Sequence, residues 1–415
     1  MSEFKVKTSL REVDCTKYEP IVKHPYVTRL NNISQLSYVD KIYRGAKHSR
    51  LDHSIFVYHF TDEIGKHLVK KGCIDGYEKT NSEIASMLHD IGHGPKAHAF
   101  EFVSEELEKL KGKKYNHKIK AVKLIDSEKK DRDGRTLGKC IEECGGDVEL
   151  VKELILKKNP LCQIRSHNTL GADKTGFMLL DSNRTFYYTA FPFLLDIFPK
   201  YFFDGENLGL EDEEKIPQIK VLQAAYQDMY INVYFHPRVR FYERLFERAI
   251  QEVVENNIAS TEKLWGLEEF EVENLLKNNE RTSKLFAKIE NEEMDEKVVS
   301  ISYDPENEKE FKNLVNFYSN PLNLTKAEKM IAEEFNCKNH QIICNLRVIP
   351  ERIIPEDVYI FSLDKSIFEI RPTFYQSLVE EANLHTSINL FKEPKVKLNE
   401  RRCKEILTNE IPKIR

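Results

Sequence analysis

Nine of the 13 histidines in this 415-residue chain fall between positions 24 and 117: His24, His48, His53, His59, His67, His89, His93, His98 and His117. Imidazole is both a metal ligand and a proton carrier near neutrality, so such crowding points to a site. It also restricts the fold. His53 stands at the start of one helical pattern and the His89-Asp90 pair at the end of another. Side chains so placed converge only where helices face one another in a bundle, a common setting for metal sites. Asp173 follows far downstream. Two neutral imidazoles with two carboxylates neutralise a divalent cation through mixed nitrogen and oxygen ligands, and leave positions open for water and a substrate oxygen.

The surrounding sequence reads as helical. From His53 to Lys71, HSIFVYHFTDEIGKHLVKK sets Ile55, Tyr58, Ile64 and Leu68 on one face before Gly72 and Gly76 close the element. Thr80 with Glu83 matches a capping box that would open a second helix carrying Ile84, Met87 and Leu88. The glycines and proline of HDIGHGP stop it. Residues 18–36 read as an extended lead-in followed by a short helix through Ile33 and Leu36, and further helices are expected at 98–110, 117–127, 147–157, 171–181 and 218–256.

Residues 251–310 carry 17 acidic against 7 basic side chains, a solvated and partly linker-like composition. Beyond about residue 335, QIICNLRVIP and DVYIFSL read as strands and PTFYQSLVEEANL as a helix, before a basic tail with seven Lys/Arg against three Glu. The expected architecture is mainly α: a helical domain over 1–260, with core motifs in 25–182 and a pocket helix in 218–256, an acidic helical or linker segment over 261–330, and a smaller α+β domain over 331–415.

Several function classes drop out. With 40% apolar and 32% charged residues the chain is ordinary globular material. The longest apolar run, Tyr187 to Phe198, contains Pro192 and Asp196 and is too short to span a bilayer, so no membrane role is expected. MSEFKVKTSLREVD lacks an apolar signal core, which favours a cytoplasmic location. Eight scattered cysteines argue for reduced thiols. Cys337, His340 and Cys344 have no fourth ligand nearby and read as structural residues instead of a zinc site. A net charge of −5 argues against coating nucleic acid while leaving room for a local basic pocket.

The segments PYVTRLNNISQLSYVDKIYRGAKHSRLDHS (25–54), SMLHDIGHGPKAHAFE (86–101), NH (116–117), GADKTGFMLLDS (171–182) and MYINVYFHPR (229–238) together resemble the HD-domain phosphohydrolases, in their deoxynucleoside-triphosphate triphosphohydrolase branch and without a SAM domain. That resemblance implies a helical HD-domain bundle and one divalent metal per chain (Mg, Mn, Fe, Ni or Zn) on His53, His89, Asp90 and Asp173. It gives His98 and His117 the roles of phosphate contact and general acid, oriented by His93 and Glu101. Gln35 and Leu36 match positions that read the 3′-hydroxyl and crowd the 2′ position, Arg50 one that packs on the base, Lys174 a phosphate ligand and Asp181 a sugar contact. Phe177, His236 and Arg238 fall on the pocket wall, and His48 is a further wall residue. The sequence departs from the pattern at Thr175, Gly176 and Phe177, where an aromatic hydroxyl and a carboxylate are usual, at Leu180, and at Asn31, where nucleotide-activated members carry an arginine.

The implied activity is hydrolysis of a dNTP to deoxynucleoside and tripolyphosphate by a homo-oligomer, dimer or tetramer, with an allosteric nucleotide left open. The alternatives are a related hydrolase acting on another nucleotide, phosphate ester or nucleic-acid end, and a non-catalytic nucleotide-sensing oligomer.

Overall fold

The computed structural model describes residues 3–8, 10–187 and 194–413. The fold is mainly α, 62% helical, with three small sheets among the described residues. Its organising element is the 21-residue helix Arg50–Lys70. Ser49 and Asp52 form a reciprocal capping box at its start, which satisfies amides that the first helical turn would leave unpaired. The helix buries Ile55, Phe56, Val57, Phe60, Ile64 and Leu68, and His53 lies on the same hidden surface. Helices Gly76–Leu88 and Ala172–Thr185 pack against it. The two metal-motif segments are thereby presented to one side of a shared core.

Local rules explain most of the departures from expectation. The second helix opens at Gly76, capped by Asp75 and Glu78, not at Thr80 and Glu83. Thr80 lies within the helix and accepts from the Lys17 ammonium at 2.9 Å, while buried Glu83 accepts from Tyr18 and Lys79. In residues 18–36 the order is reversed: helical turns Glu19–Val22, Pro25–Thr28 and Arg29–Asn32 come first, and extended Ile33 follows. The expected single helix over 218–256 is two, Ile216–Met229 and Pro237–Glu255, joined through a π-helical turn at Tyr230–Tyr234. Pro237 has no amide to continue the ladder, and the wider π turn rotates the residues that follow.

The smaller layer begins earlier than residue 331. Strand Glu296–Ser302 pairs antiparallel with Ser387–Lys392, which also pairs antiparallel with Ile342–Leu346. Val299, Ile301, Phe311, Tyr318, Ile388 and Leu390 belong to one core beneath this sheet. Nor is the acidic stretch a linker. Leu264, Trp265, Val272, Leu276, Leu285, Phe286 and Ile289 are buried in short helices whose outer faces carry much of the charge.

DVYIFSL supplies only the two-residue strand Tyr359–Ile360 before a tight turn. That strand joins the sheet containing Tyr201–Phe203 and Leu208–Leu210, and its step with Leu210 is parallel. The segment after residue 350 is thus tied directly to the helical part. No helix among the described residues is long and apolar enough to cross a membrane. Of the apolar run 187–198, residues 188–193 lie outside the described residues.

Candidate functional site

His53, His89, Asp90 and Asp173 come together although three separate elements carry them. His53 Nε2 lies 3.2 Å from Asp173 Oδ1 and 3.7 Å from Asp90 Oδ2. His89 Nε2 lies 3.3 Å from Asp90 Oδ1 and 3.8 Å from Asp173 Oδ1. Donor atoms each about 2.0–2.2 Å from a common ion are separated by roughly 3–4 Å; His53, His89 and Asp90 form a group close enough to hold an ion, and Asp173 touches both imidazoles beside it. His89 Nδ1 rests 2.7 Å from the Ser86 carbonyl. Donation to that oxygen leaves Nε2 as the free donor atom, the usual outer-shell arrangement for a ligating histidine.

The electrostatics favour the same state. Burial pushes His89 down to about 4, keeping it neutral. Burial would raise Asp90, but His89, Arg50 and His93 outweigh it and hold the carboxyl well below its ordinary value. Asp173 is likewise held low against burial, chiefly by Lys174 and His53. His53, His89 and Asp90 could therefore hold a metal ion.

A second cluster adjoins the first. Glu101 Oε1 accepts from the His117 backbone amide at 2.8 Å and contacts His117 Nδ1 at 2.7 Å, while Oε2 lies 3.0 Å from His98 Nδ1. The rings of His93 and His117 stack with centroids 4.1 Å apart, and His93 meets His98 edge-on at 4.7 Å. Glu101 is buried, yet the two histidines keep it ionised well below the usual carboxylate range. One carboxylate therefore fixes two imidazoles through Nδ1 and leaves both Nε2 atoms unclaimed by it. His117 opens helix His117–Ile125, capped by Asn116.

Both clusters line a cavity of about 530 Å³, within the ordinary range for small-molecule sites. Gln35, Leu36, Arg50, Lys174, Phe177 and Asp181 also line it. Gln35 Oε1 and Arg50 Nε are buried without a protein partner, the condition of polar atoms awaiting a ligand. Arg50 is buried, with its guanidinium against Asp90 and 3.4 Å from the Gln35 carbonyl. Asp181 is held from both sides, with His48 Nε2 2.8 Å from one oxygen and the Tyr234 hydroxyl donating to the other at 2.8 Å.

His236 and Arg238 do not join this lining. His236 caps helix Pro237–Glu255 by accepting from the Arg238 amide at 3.3 Å. The Arg238 guanidinium donates to the Tyr242 hydroxyl at 3.2 Å and the Glu292 carbonyl at 2.8 Å. The π turn sets the register, so Tyr226, Tyr230, Tyr234 and Arg240 face the cavity instead. The tyrosine spacing of four residues was a readable signal, since such positions share a helix face. The departures at Thr175 and Gly176 sit in packed surroundings: Thr175 Oγ1 donates back to the Gly171 carbonyl at 3.1 Å, and a Cβ at Gly176 would touch Val57 and Phe60. Cys344 is buried within its strand, where burial pushes the thiol far up, a structural setting for it.

Lys118, Lys157 and Arg165 are further lining residues with no distinct sequence signal. Burial lowers Lys157 to about 8, and Lys118, Lys174 and Arg165 add to the effect. Burial and Arg165 lower Lys118 in turn. Four cations thus crowd one wall beside Asp173, a field that favours a multiply charged anion.

Residues 50–175 match the HD domain family model, and residues 218–357 match that of the HD associated region. The chain is similar to protein MJ1154 of Methanocaldococcus jannaschii, 25% identical over 390 residues that cover 90% of this chain and 75% of that one. It is also similar to the deoxynucleoside triphosphate triphosphohydrolase SAMHD1 homolog of Dictyostelium discoideum, 33% identical over 104 residues, 24% of this chain and 19% of that one. A crystal structure of a phosphohydrolase from Bacteroides thetaiotaomicron shares the fold, with a TM-score of 0.67 at 18% identity over 94% of this chain and 99% of that one. With the ordered His53, His89-Asp90 and Asp173 gathered in space, residues 50–175 carry an HD domain and residues 218–357 an HD associated region.

Proposed function

We propose that this chain is a metal-dependent dNTP triphosphohydrolase that releases deoxynucleoside and tripolyphosphate. The observation that carries the reading is the group of four cations, Lys118, Lys157, Arg165 and Lys174, beside the His/Asp donor set in a cavity that Gln35 and Leu36 also line. Similarity to the SAMHD1 homolog, named for dNTP hydrolysis, supports the substrate class. A single divalent ion on His53, His89, Asp90 and Asp173 would polarise a phosphoryl oxygen and lower the pKa of bound water.

The chain's own groups account for the rest. The cations hold the phosphates and offset charge that grows as the bond to phosphorus changes. A water oxygen bonds to the α-phosphorus while the bond from that phosphorus to the 5′ oxygen breaks. Nε2 of His117, whose Nδ1 is held by Glu101, protonates the departing oxygen. The proton lost by the water restores His117, so the net reaction consumes one water. His98, on the same carboxylate, faces the phosphates. Gln35 serves the 3′-hydroxyl, and Leu36 leaves little room for a 2′-hydroxyl. A filter of this kind favours dNTP over NTP. Arg50, Phe177 and Asp181 complete the wall around base and sugar, and the same reading includes self-association as a homo-oligomer.

The test is incubation of the purified protein with each dNTP and each NTP under Mn²⁺ or Mg²⁺, following phosphate, pyrophosphate and tripolyphosphate separately. The expected result is tripolyphosphate with free deoxynucleoside, and little turnover of NTPs. Phosphate or pyrophosphate alone would move the activity to another ester bond. Binding without any product, with candidate activating nucleotides included, would favour a nucleotide sensor.

A further inference from the structure

Glu269 opens the short helix Glu269–Asn278 in the acidic stretch, far along the chain from the HD motif. Its carboxylate reaches back to two segments that adjoin the cavity lining. Oε1 accepts from the Ser34 amide at 2.8 Å, the Ser34 hydroxyl at 2.7 Å and the Lys96 amide at 3.0 Å. Oε2 pairs with the Lys96 ammonium at 2.9 Å. The same ammonium lies 3.0 Å from Glu273 Oε1 and over the Tyr38 ring at 4.8 Å. Lys96 is buried, and its charge persists there because Glu269, Tyr38 and Glu273 outweigh the cost of burial.

Each end of this contact abuts the site. Ser34 directly precedes Gln35 and Leu36. Lys96 and Ala97 adopt φ of +56° and +47°, two successive non-glycine residues in the left-handed region, and the helix bearing His98 and Glu101 starts immediately after them. Such backbone persists only where its surroundings over-determine it. Glu269 supplies that determination at Lys96 from both amide and ammonium. The neighbouring Trp265 indole adds a second hold by donating to the Gly92 carbonyl at 2.8 Å.

We propose that Glu269 and Lys96 are positioning residues that lock the Gln35–Leu36 loop to the turn carrying His98, so that these two lining segments are set together. What each segment does to substrate rests on the proposed function; the lock itself does not.

The test uses the full metal-loaded chain as Glu269→Ala, Glu269→Gln, Ser34→Ala, Lys96→Met and the Ser34→Ala/Lys96→Met double variant. Measurements are dNTP turnover, metal content, melting temperature and backbone hydrogen exchange over 33–38 and 94–99. Misplacing reacting groups by about 1 Å costs on the order of 100-fold, so Glu269→Ala is expected to lose about 10- to 100-fold in kcat/KM, with both KM and kcat affected and metal content unchanged. Exchange should quicken in both segments at once. Glu269→Gln keeps one acceptor oxygen for the two amides but sets an NH₂ group against the Lys96 ammonium, so it should recover only part of the kcat loss. The Ser34 and Lys96 substitutions should be non-additive, because one carboxylate serves both.

A lower melting temperature with unaltered kinetic constants and unaltered exchange would overturn the proposal, as would strict additivity in the double variant. Should Glu269→Ala not fold, the Ser34/Lys96 cycle decides. Should the wild type hydrolyse no dNTP, the proposed function falls and hydrogen exchange alone decides the lock: quickened exchange in both segments supports it and unchanged exchange refutes it.

Discussion

At the scale of single residues, Glu101 is a buried carboxylate that serves two imidazoles at once. It holds His117 through backbone and ring, and His98 through its ring, on three bonds of 2.7–3.0 Å. By analogy with carboxylates that orient metal-bound histidines, such a partner is worth about 10- to 100-fold in activity. Glu101→Gln should therefore lower kcat by roughly that factor with metal content unchanged, measured by steady-state turnover beside elemental analysis. Unchanged kcat would show that the histidines need no carboxylate. His53, His89, Asp90 and Asp173 were legible in the sequence because three short motifs carry them in fixed order. Lys118, Lys157 and Arg165 were not, since nothing separates a pocket cation from a surface one until the helices are placed.

At the scale of elements, the chain turns on close approaches that sequence periodicity does not report. A Cβ at Gly92 would overlap the carbonyl oxygen of His117 and sit 2.7 Å from the Ala121 amide nitrogen. Glycine at this position lets the His117–Ile125 helix seat against the HD turn. Gly92→Ala should destabilise the protein by about 1–3 kcal/mol, the usual cost of overpacking, and should displace His117. Denaturant unfolding and kcat check both effects, and a variant matching wild type in both would deny the contact. Long amphipathic helices were readable, but their junctions were not. The π turn at Tyr230–Tyr234 moved His236 and Arg238 away from the cavity, and no propensity rule locates such a turn.

The central helix also carries a pH dependence. His59 lies 2.6 Å from the Arg11 guanidinium, and burial together with that charge pushes it down to about 4 from 6.5. The unfolded chain then binds a proton more readily between those values, so stability is fully present above about 6.5 and is lost as pH falls toward about 4. Denaturation midpoints of His59→Gln should fall less steeply over that window than those of wild type. Parallel curves would remove His59 from the acid response.

At the scale of the whole molecule, the acidic stretch changes meaning. As composition it reads as solvated linker; folded, it places Trp265 and Glu269 against the HD turn and the Ser34 loop. Contacts of this separation are invisible to local pattern, because each partner looks ordinary in its own segment. The smaller layer was legible as strand and helix but not in extent, since Glu296–Ser302 finds its partner only after residue 386. Pairing of Tyr359–Ile360 with Leu208–Leu210 then brings the segment that carries Arg352 to the cavity wall. Site and fold are therefore coupled across most of the chain.

The most direct measurement of the central claim joins metal analysis to product analysis in wild type and Asp90→Ala. Wild type should retain a divalent ion, release tripolyphosphate from a dNTP, lose turnover on chelation and regain it when Mn²⁺ is returned. Asp90→Ala should hold little metal and show no recovery. Turnover by Asp90→Ala at the wild-type rate, or by wild type stripped of metal, would contradict the account.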